Sequence, residues 1–214
     1  MSTIEDTGSR TALASLRRFS RGRDEAEFCH LCRSPLRLEH PHLLELNNRQ
    51  LRCACEACAV LFSQQGAAKY RRVSRRADYL LDFQLSDWEW EQLHLPINLA
   101  FFTYSTAHGR IVAQYPSPAG ATEALPAEDA WAAIVAKNPV LAEFEPDVEA
   151  LLVNRLGSNF ECFRIGIDEC YRLVGLIRTH WRGLSGGTDV WRQIARFFSE
   201  LKGKCHAVSE AKPA

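Results

Sequence analysis

The chain has 214 residues with 26 Lys+Arg against 26 Asp+Glu, 46% apolar and 24% charged residues. This is ordinary globular usage; it excludes a wholly disordered chain and a fibrous repeat, and the zero net charge excludes a uniformly basic nucleic-acid binder. The sum hides two unequal parts: residues 1–80 hold 14 basic and 9 acidic residues, a net of +5, and residues 81–214 hold 12 and 17, a net of −5.

In chain order, residues 1–26 are polar and read as a mobile tail, in which Leu13, Leu16 and Phe19 offer one short amphipathic turn. Arg17-Arg18-Phe19 has the look of a twin-arginine export signal, but Ser20-Arg21-Gly22-Arg23 follows where an apolar stretch is required. The expected compartment is therefore the reducing cytoplasm. No apolar run approaches the ~18–20 residues of a membrane-spanning helix.

Residues 27–65 gather five of the eight cysteines, Cys29, Cys32, Cys53, Cys55 and Cys58. Thiols clustered in this way, with no secretory signal, point to metal rather than to a disulfide framework. Cys29-His30-Leu31-Cys32 and Cys55-Glu56-Ala57-Cys58 are two CxxC pairs with 22 residues between them, a spacing that suits a structural tetrahedral zinc site. Residues 42–46 are strand-like, Asn47-Asn48 offers a turn, residues 50–53 return, and the second pair runs into a helix near Ala59. Knuckle, hairpin and knuckle-at-helix make a treble-clef or zinc-ribbon-like module. So small a module buries little core and needs a metal cross-link. Four thiolates also hold iron or an iron–sulfur cluster, which is the lesser expectation.

Cys53 lies two residues before Cys55, hence on the same face of a strand. It is the alternative ligand to Cys55, or a spare thiol that would suit a metal-handling protein. His30, His40 and His42 are reserve ligands, each read first as a surface or packing histidine.

Residues 66–82 form a basic linker in which Arg71, Arg72, Arg75 and Arg76 stand beside Lys69 and Tyr70. These arginines could grip phosphates. A solvated connector, or a patch paired with the acidic residues 82–91, is the stronger reading, so nucleic acid is an unlikely partner.

Residues 83–203 form the larger domain and 204–214 a polar tail. Ser86 caps a short helix over 87–93, which Pro96 ends. Residues 97–104 and 111–115 form one hairpin. Residues 116–120 read as an irregular loop, since two prolines remove two backbone donors. A helix over 127–137 stops at Pro139. Residues 148–155 and 160–167 form a second hairpin around Gly157-Ser158-Asn159. Asp168 caps a helix reaching Trp181, and Thr188 opens a last helix whose apolar stripe includes Val190, Trp191, Ile194, Phe197, Phe198 and Leu201. The fold class is α+β: the small cysteine module followed by an antiparallel sheet of two hairpins with helices on one face.

Glu143, Glu145, Asp147 and Glu149 read as solvated charges, Cys162 and Cys170 as buried thiols. No Ser/His/Asp order or carboxylate pair stands out, so the expectation is a protein that is not an enzyme.

The two cysteine pairs, together with Pro96-Ile97-Asn98-Leu99-Ala100-Phe101-Phe102, Tyr115-Pro116-Ser117-Pro118-Ala119-Gly120, Glu145-Pro146-Asp147-Val148-Glu149-Ala150 and His180-Trp181-Arg182-Gly183, resemble an uncharacterised bacterial domain-of-unknown-function family. The likeness runs from about residue 15 to 203. Its members look like companions of nickel–iron hydrogenase genes. The resemblance thus implies a cytoplasmic accessory role in hydrogenase assembly or maturation, with a hydrogenase subunit or maturation factor as protein partner, and no activity. The chain departs from the family pattern at Arg33, where that pattern has glycine.

Overall fold

The computed structural model describes residues 27–63 and 69–209, so the N-terminal tail with Leu13, Leu16 and Phe19 lies outside the described residues. The α+β class expected from the sequence is what the chain adopts, in two antiparallel-rich sheets with five α-helices among the described residues.

The first sheet belongs to the cysteine module. β1 (His42–Glu45) pairs antiparallel with β2 (Gln50–Cys53), and α1 (Glu56–Ser63) follows. β3 (Tyr70–Arg72) adds to the other edge of β1, giving the order β2-β1-β3. The basic segment then crosses to the second sheet as β4 (Ala77–Leu80).

The second sheet has seven strands in the order β10-β4-β9-β8-β5-β6-β7. They are β4, β5 (Leu99–Ser105), β6 (Arg110–Ser117), β7 (Gly120–Ala124), β8 (Glu149–Asn154), β9 (Glu161–Gly166) and β10 (His206–Val208). Both expected hairpins form, β5–β6 and β8–β9, and β5 joins them by pairing with β8. β10, within the segment read as a polar tail, runs parallel to β4.

Two expectations are corrected. Residues 116–120 are no irregular loop: Pro116 belongs to β6 and pairs with Ala121 of β7. The proline fits because the pairing of β6 with β5 ends at Gln114, beyond which one side of β6 needs no donor. The helices also cover both faces of the sheet. Successive strand residues point to opposite faces. Leu99, Phe101, Leu152, Phe163 and Ile165 accordingly pack on α4 (Ile167–His180) and α5 (Gly187–Lys204). Ala100, Phe102, Leu151, Val153 and Cys162 pack on α2 (Asp87–Gln92) and α3 (Glu128–Lys137) through Trp90 and Ile134. A strand buried on both sides reads as a continuous apolar run, which Leu99-Ala100-Phe101-Phe102 is.

The module meets the larger sheet at an apolar seam of Leu44, Val73, Val148 and Ile167. The backbones come so close that a Cβ on Gly166 would overlap the Ser74 carbonyl and reach Val73 Cγ1 at 2.9 Å, so only glycine fits. Asp168 is no cap. The cap position is Gly166, two residues earlier, and Asp168 instead extends to the module, where its Oδ2 accepts from His42 Nδ1 at 2.8 Å.

Candidate metal centre

The first knuckle is a tight turn held by its backbone: Arg33 N–H donates to the Cys29 carbonyl at 2.9 Å and Cys29 N–H to the Ser34 carbonyl at 2.8 Å. Arg33 takes φ 65°, in the left-handed region that favours glycine. Arg33 thus stands at a position where the backbone itself favours glycine.

The second knuckle is the start of α1. Cys58 N–H points at Cys55 Sγ at 3.5 Å, within the first helical turn, where the partial positive charge of the N-terminus favours a thiolate. Tertiary folding brings the two knuckles together: the Sγ atoms of Cys29, Cys32, Cys55 and Cys58 all lie within 4.8 Å of one another, and none of the four is in a disulfide. Cys32 and Cys55 stand 3.7 Å apart. A tetrahedral shell with Zn–S bonds of about 2.3 Å has edges of about 3.8 Å, so the donor set fits zinc in kind and in size.

The thiols already divide their protons unequally. Burial pushes Cys29 up, but the backbone N–H groups of Cys32, Cys55 and Leu31 together outweigh it and bring this thiol down to about 6. Cys55 is lowered chiefly by the Cys58 N–H. Burial, reinforced by hydrogen bonds from its neighbours, pushes Cys58 up, so a proton stays there unless a cation replaces it. Cys29 and Cys58 are buried, whereas Cys32 is exposed and Cys55 borders a groove with Arg37, Glu39, His40 and Arg75.

Cys53 is not in this group. β2 ends at Cys53, so the two-residue periodicity that would align it with Cys55 ends there too. Its Sγ instead clusters with His40 and His42, again within 4.8 Å. Burial, then the Glu27 carboxylate, raises this thiol above its usual range. The sequence offered both histidines as reserve ligands, and they lie beside Cys53 rather than among the four cysteines. His42, the first residue of β1, stands directly opposite Cys53 in the hairpin register, and His40 comes just before the strand.

The basic residues are each paired with a carboxylate, although Arg75 and Arg76 remain exposed. Arg72 and Arg75 both pair with Glu56 at 2.8 Å, Arg76 with Asp78 at 3.4 Å, and Arg71 with Asp147 at 3.5 Å. Their partners are therefore not the acidic residues 82–91. The acidic cluster divides: Glu143 and Glu145 are exposed as read, whereas Asp147 and Glu149 are buried, Asp147 accepting from the Thr106 N–H and hydroxyl and Glu149 from Arg164. Cys162 and Cys170 are buried, as read. No helix among the described residues is long and apolar enough to cross a membrane.

The fold and site define a class: a two-knuckle, four-cysteine module with metal-binding geometry, docked on a helix-covered sheet. Residues 28–205 match one family over their whole length, and the chain belongs to it: the family of unknown function DUF5947. No curated protein and no solved structure matches the chain.

Proposed function

We propose that the protein is a zinc-stabilised interaction protein, in which Cys29, Cys32, Cys55 and Cys58 hold one structural zinc ion. The observation that carries this is the convergence of four thiols within 4.8 Å, with a Cys32–Cys55 separation matching a zinc–thiolate edge. When bound, the ion would cross-link the knuckles and compensate their thiolate charge. A shell completed by four protein ligands leaves no position for substrate, so the centre serves as scaffold rather than catalyst. The module supplies a rigid surface beside the sheet, and the occupant of that surface is a protein. In its finer form the partner is a subunit or maturation factor of a nickel–iron hydrogenase, which draws on the family's resemblance in gene company.

Anaerobically purified protein should carry tightly held zinc at the four-cysteine centre. Cys32→Ser or Cys58→Ser should lose it and unfold the module, because zinc binding free energy is folding free energy in so small a unit. Unchanged zinc content and an unchanged melt in both variants would refute the ligand set. Capture from native cells should recover a hydrogenase component, and a capture free of such components removes that partner.

A further inference from the structure

His40, His42 and Cys53 converge beside the β1–β2 pair as a group separate in its ligands from the four-cysteine cluster. His42 and Cys53 are directly opposite each other in the hairpin register, and the His40 and His42 rings lie 4.9 Å apart at 66°. All three ligand atoms fall within 4.8 Å. A tetrahedral shell would draw them to about 3.3–3.6 Å, a closure that small rotations of the side chains supply.

Each ring is pinned through its Nδ1. His40 Nδ1 lies 3.0 Å from the Arg37 carbonyl, and a carbonyl only accepts, so Nδ1 carries the proton. In the neutral ring this leaves the lone pair on Nε2. That nitrogen is buried and has no hydrogen-bond partner, in a side chain only 7% exposed. A histidine kept merely for packing would satisfy both nitrogens, since a buried unpaired polar atom costs on the order of 1–3 kcal/mol. His42 Nδ1 is held at 2.8 Å by Asp168 Oδ2 from the start of α4. A carboxylate behind an imidazole is the usual support of a metal-binding histidine: it fixes the tautomer and makes Nε2 a better donor. Cys53 is fixed by its backbone, whose N–H donates to His30 Nδ1 at 3.2 Å and whose carbonyl accepts from the His30 N–H at 2.9 Å.

We propose that His40, His42 and Cys53 form a second metal site, taking a divalent cation of the zinc class on two imidazole nitrogens and one thiolate. The thiol proton leaves to solvent on binding, and the fourth position goes to water or to a ligand from outside the chain. Unlike the four-thiolate shell, this one is open, so it is the place where the protein can bind or exchange something at metal. It does not rest on the zinc assignment at the other cluster, because the two share no ligand.

The test is metal counting on full-length protein, stripped by chelator under anaerobic conditions and titrated with Zn2+, then with Co2+ as a spectroscopic probe. Two equivalents should bind, one per cluster. Cys53→Ser and His40→Ala should each bind one, with the four-thiolate cobalt spectrum retained. Asp168→Asn should weaken the second equivalent about 10–100-fold and leave the first unchanged. Saturation of the unmodified protein at one equivalent that Cys32→Ser abolishes overturns the second site, whether or not a variant folds. So do two equivalents retained in both Cys53→Ser and His40→Ala, or a four-thiolate spectrum altered by Cys53→Ser. Binding lost with Cys53→Ser but untouched by Cys32→Ser upholds this site and sinks the four-cysteine reading instead.

Discussion

Arg164 enters the sheet on β9 opposite Leu151, 3% exposed in its side chain. Its Nε donates to Glu149 Oε2 at 2.8 Å, its Nη1 to Glu143 Oε2 at 3.1 Å, and the guanidinium lies 4.7 Å over the Phe144 ring. Glu149 is equally buried, so its charge is compensated chiefly by this one cation. Arg164→Met should therefore cost about 3–5 kcal/mol in urea unfolding, mostly by leaving Glu149 unpaired. Adding Glu149→Gln should recover part of the loss, and equal stability of the single and double variants would contradict that cause. The pair also marks where residues were and were not legible. A carboxylate's neighbours in sequence do not say which strand will cross it, so Glu149 read as solvated. The CxxC pairs were legible because knuckle geometry is set within four residues of chain. Cys53 was not, because its partners depend on where β2 stops.

At the scale of elements, α2 shows how a short helix survives. Ser86 Oγ accepts from the Glu89 N–H at 3.3 Å while Glu89 Oε2 accepts from the Ser86 N–H at 2.9 Å, a complete capping box. Lys137, at the end of α3, closes on Glu89 at 2.6 Å, so the box also ties the two helices on that face. Lys137 first, then Ser86, holds the Glu89 carboxyl down to about 2. Ser86→Ala should cost about 1 kcal/mol. Because the folded value lies below the unfolded one, near 4.3, this support is present above about pH 4.3 and is lost as pH falls towards 2. The stability gap between Lys137→Met and the parent should therefore be full at pH 7 and shrink on acidification. A gap constant down to pH 2.5 would rule the ion pair out as its source. This cap was readable from Ser86 and Glu89 alone, as were the β8–β9 turn and the apolar stripe of α5. The pairing of β6 with β7 was hidden by Pro116 and Pro118, whose cost depends on an edge that only the sheet order defines. β4 and β10 were hidden by their shortness.

At the scale of the molecule, the split between a basic first part and an acidic second part has a partial structural counterpart. Arg71 reaches Asp147 and the Pro146 carbonyl across the seam, and His42 reaches Asp168, whereas Arg72 and Arg75 turn back to Glu56 inside the module. The seam is sealed mainly by Leu44, Val73, Val148 and Ile167, a contact that charge counting does not reveal. The two sides differ in what sustains them. The module's own buried cluster is Cys29, Leu43, Ala54, Cys58 and Ala59, two of them thiols of the metal centre. The sheet has large apolar clusters on both faces. Removal of metal should therefore act unequally. After chelation, amides of β1, β2 and α1 should lose protection from hydrogen exchange, since no core of useful size remains there. Those of β5 and β8, central in the sheet and buried on both faces, should keep theirs. β3 should follow the module because, among the described residues, it pairs only with β1. β4 should hold with the sheet, bonded to β9 on one side and β10 on the other. Loss of protection in β5 and β8 in step with β1 would mean that metal stabilises the chain as one cooperative unit, with the seam rather than the cysteine module as the structure it sustains.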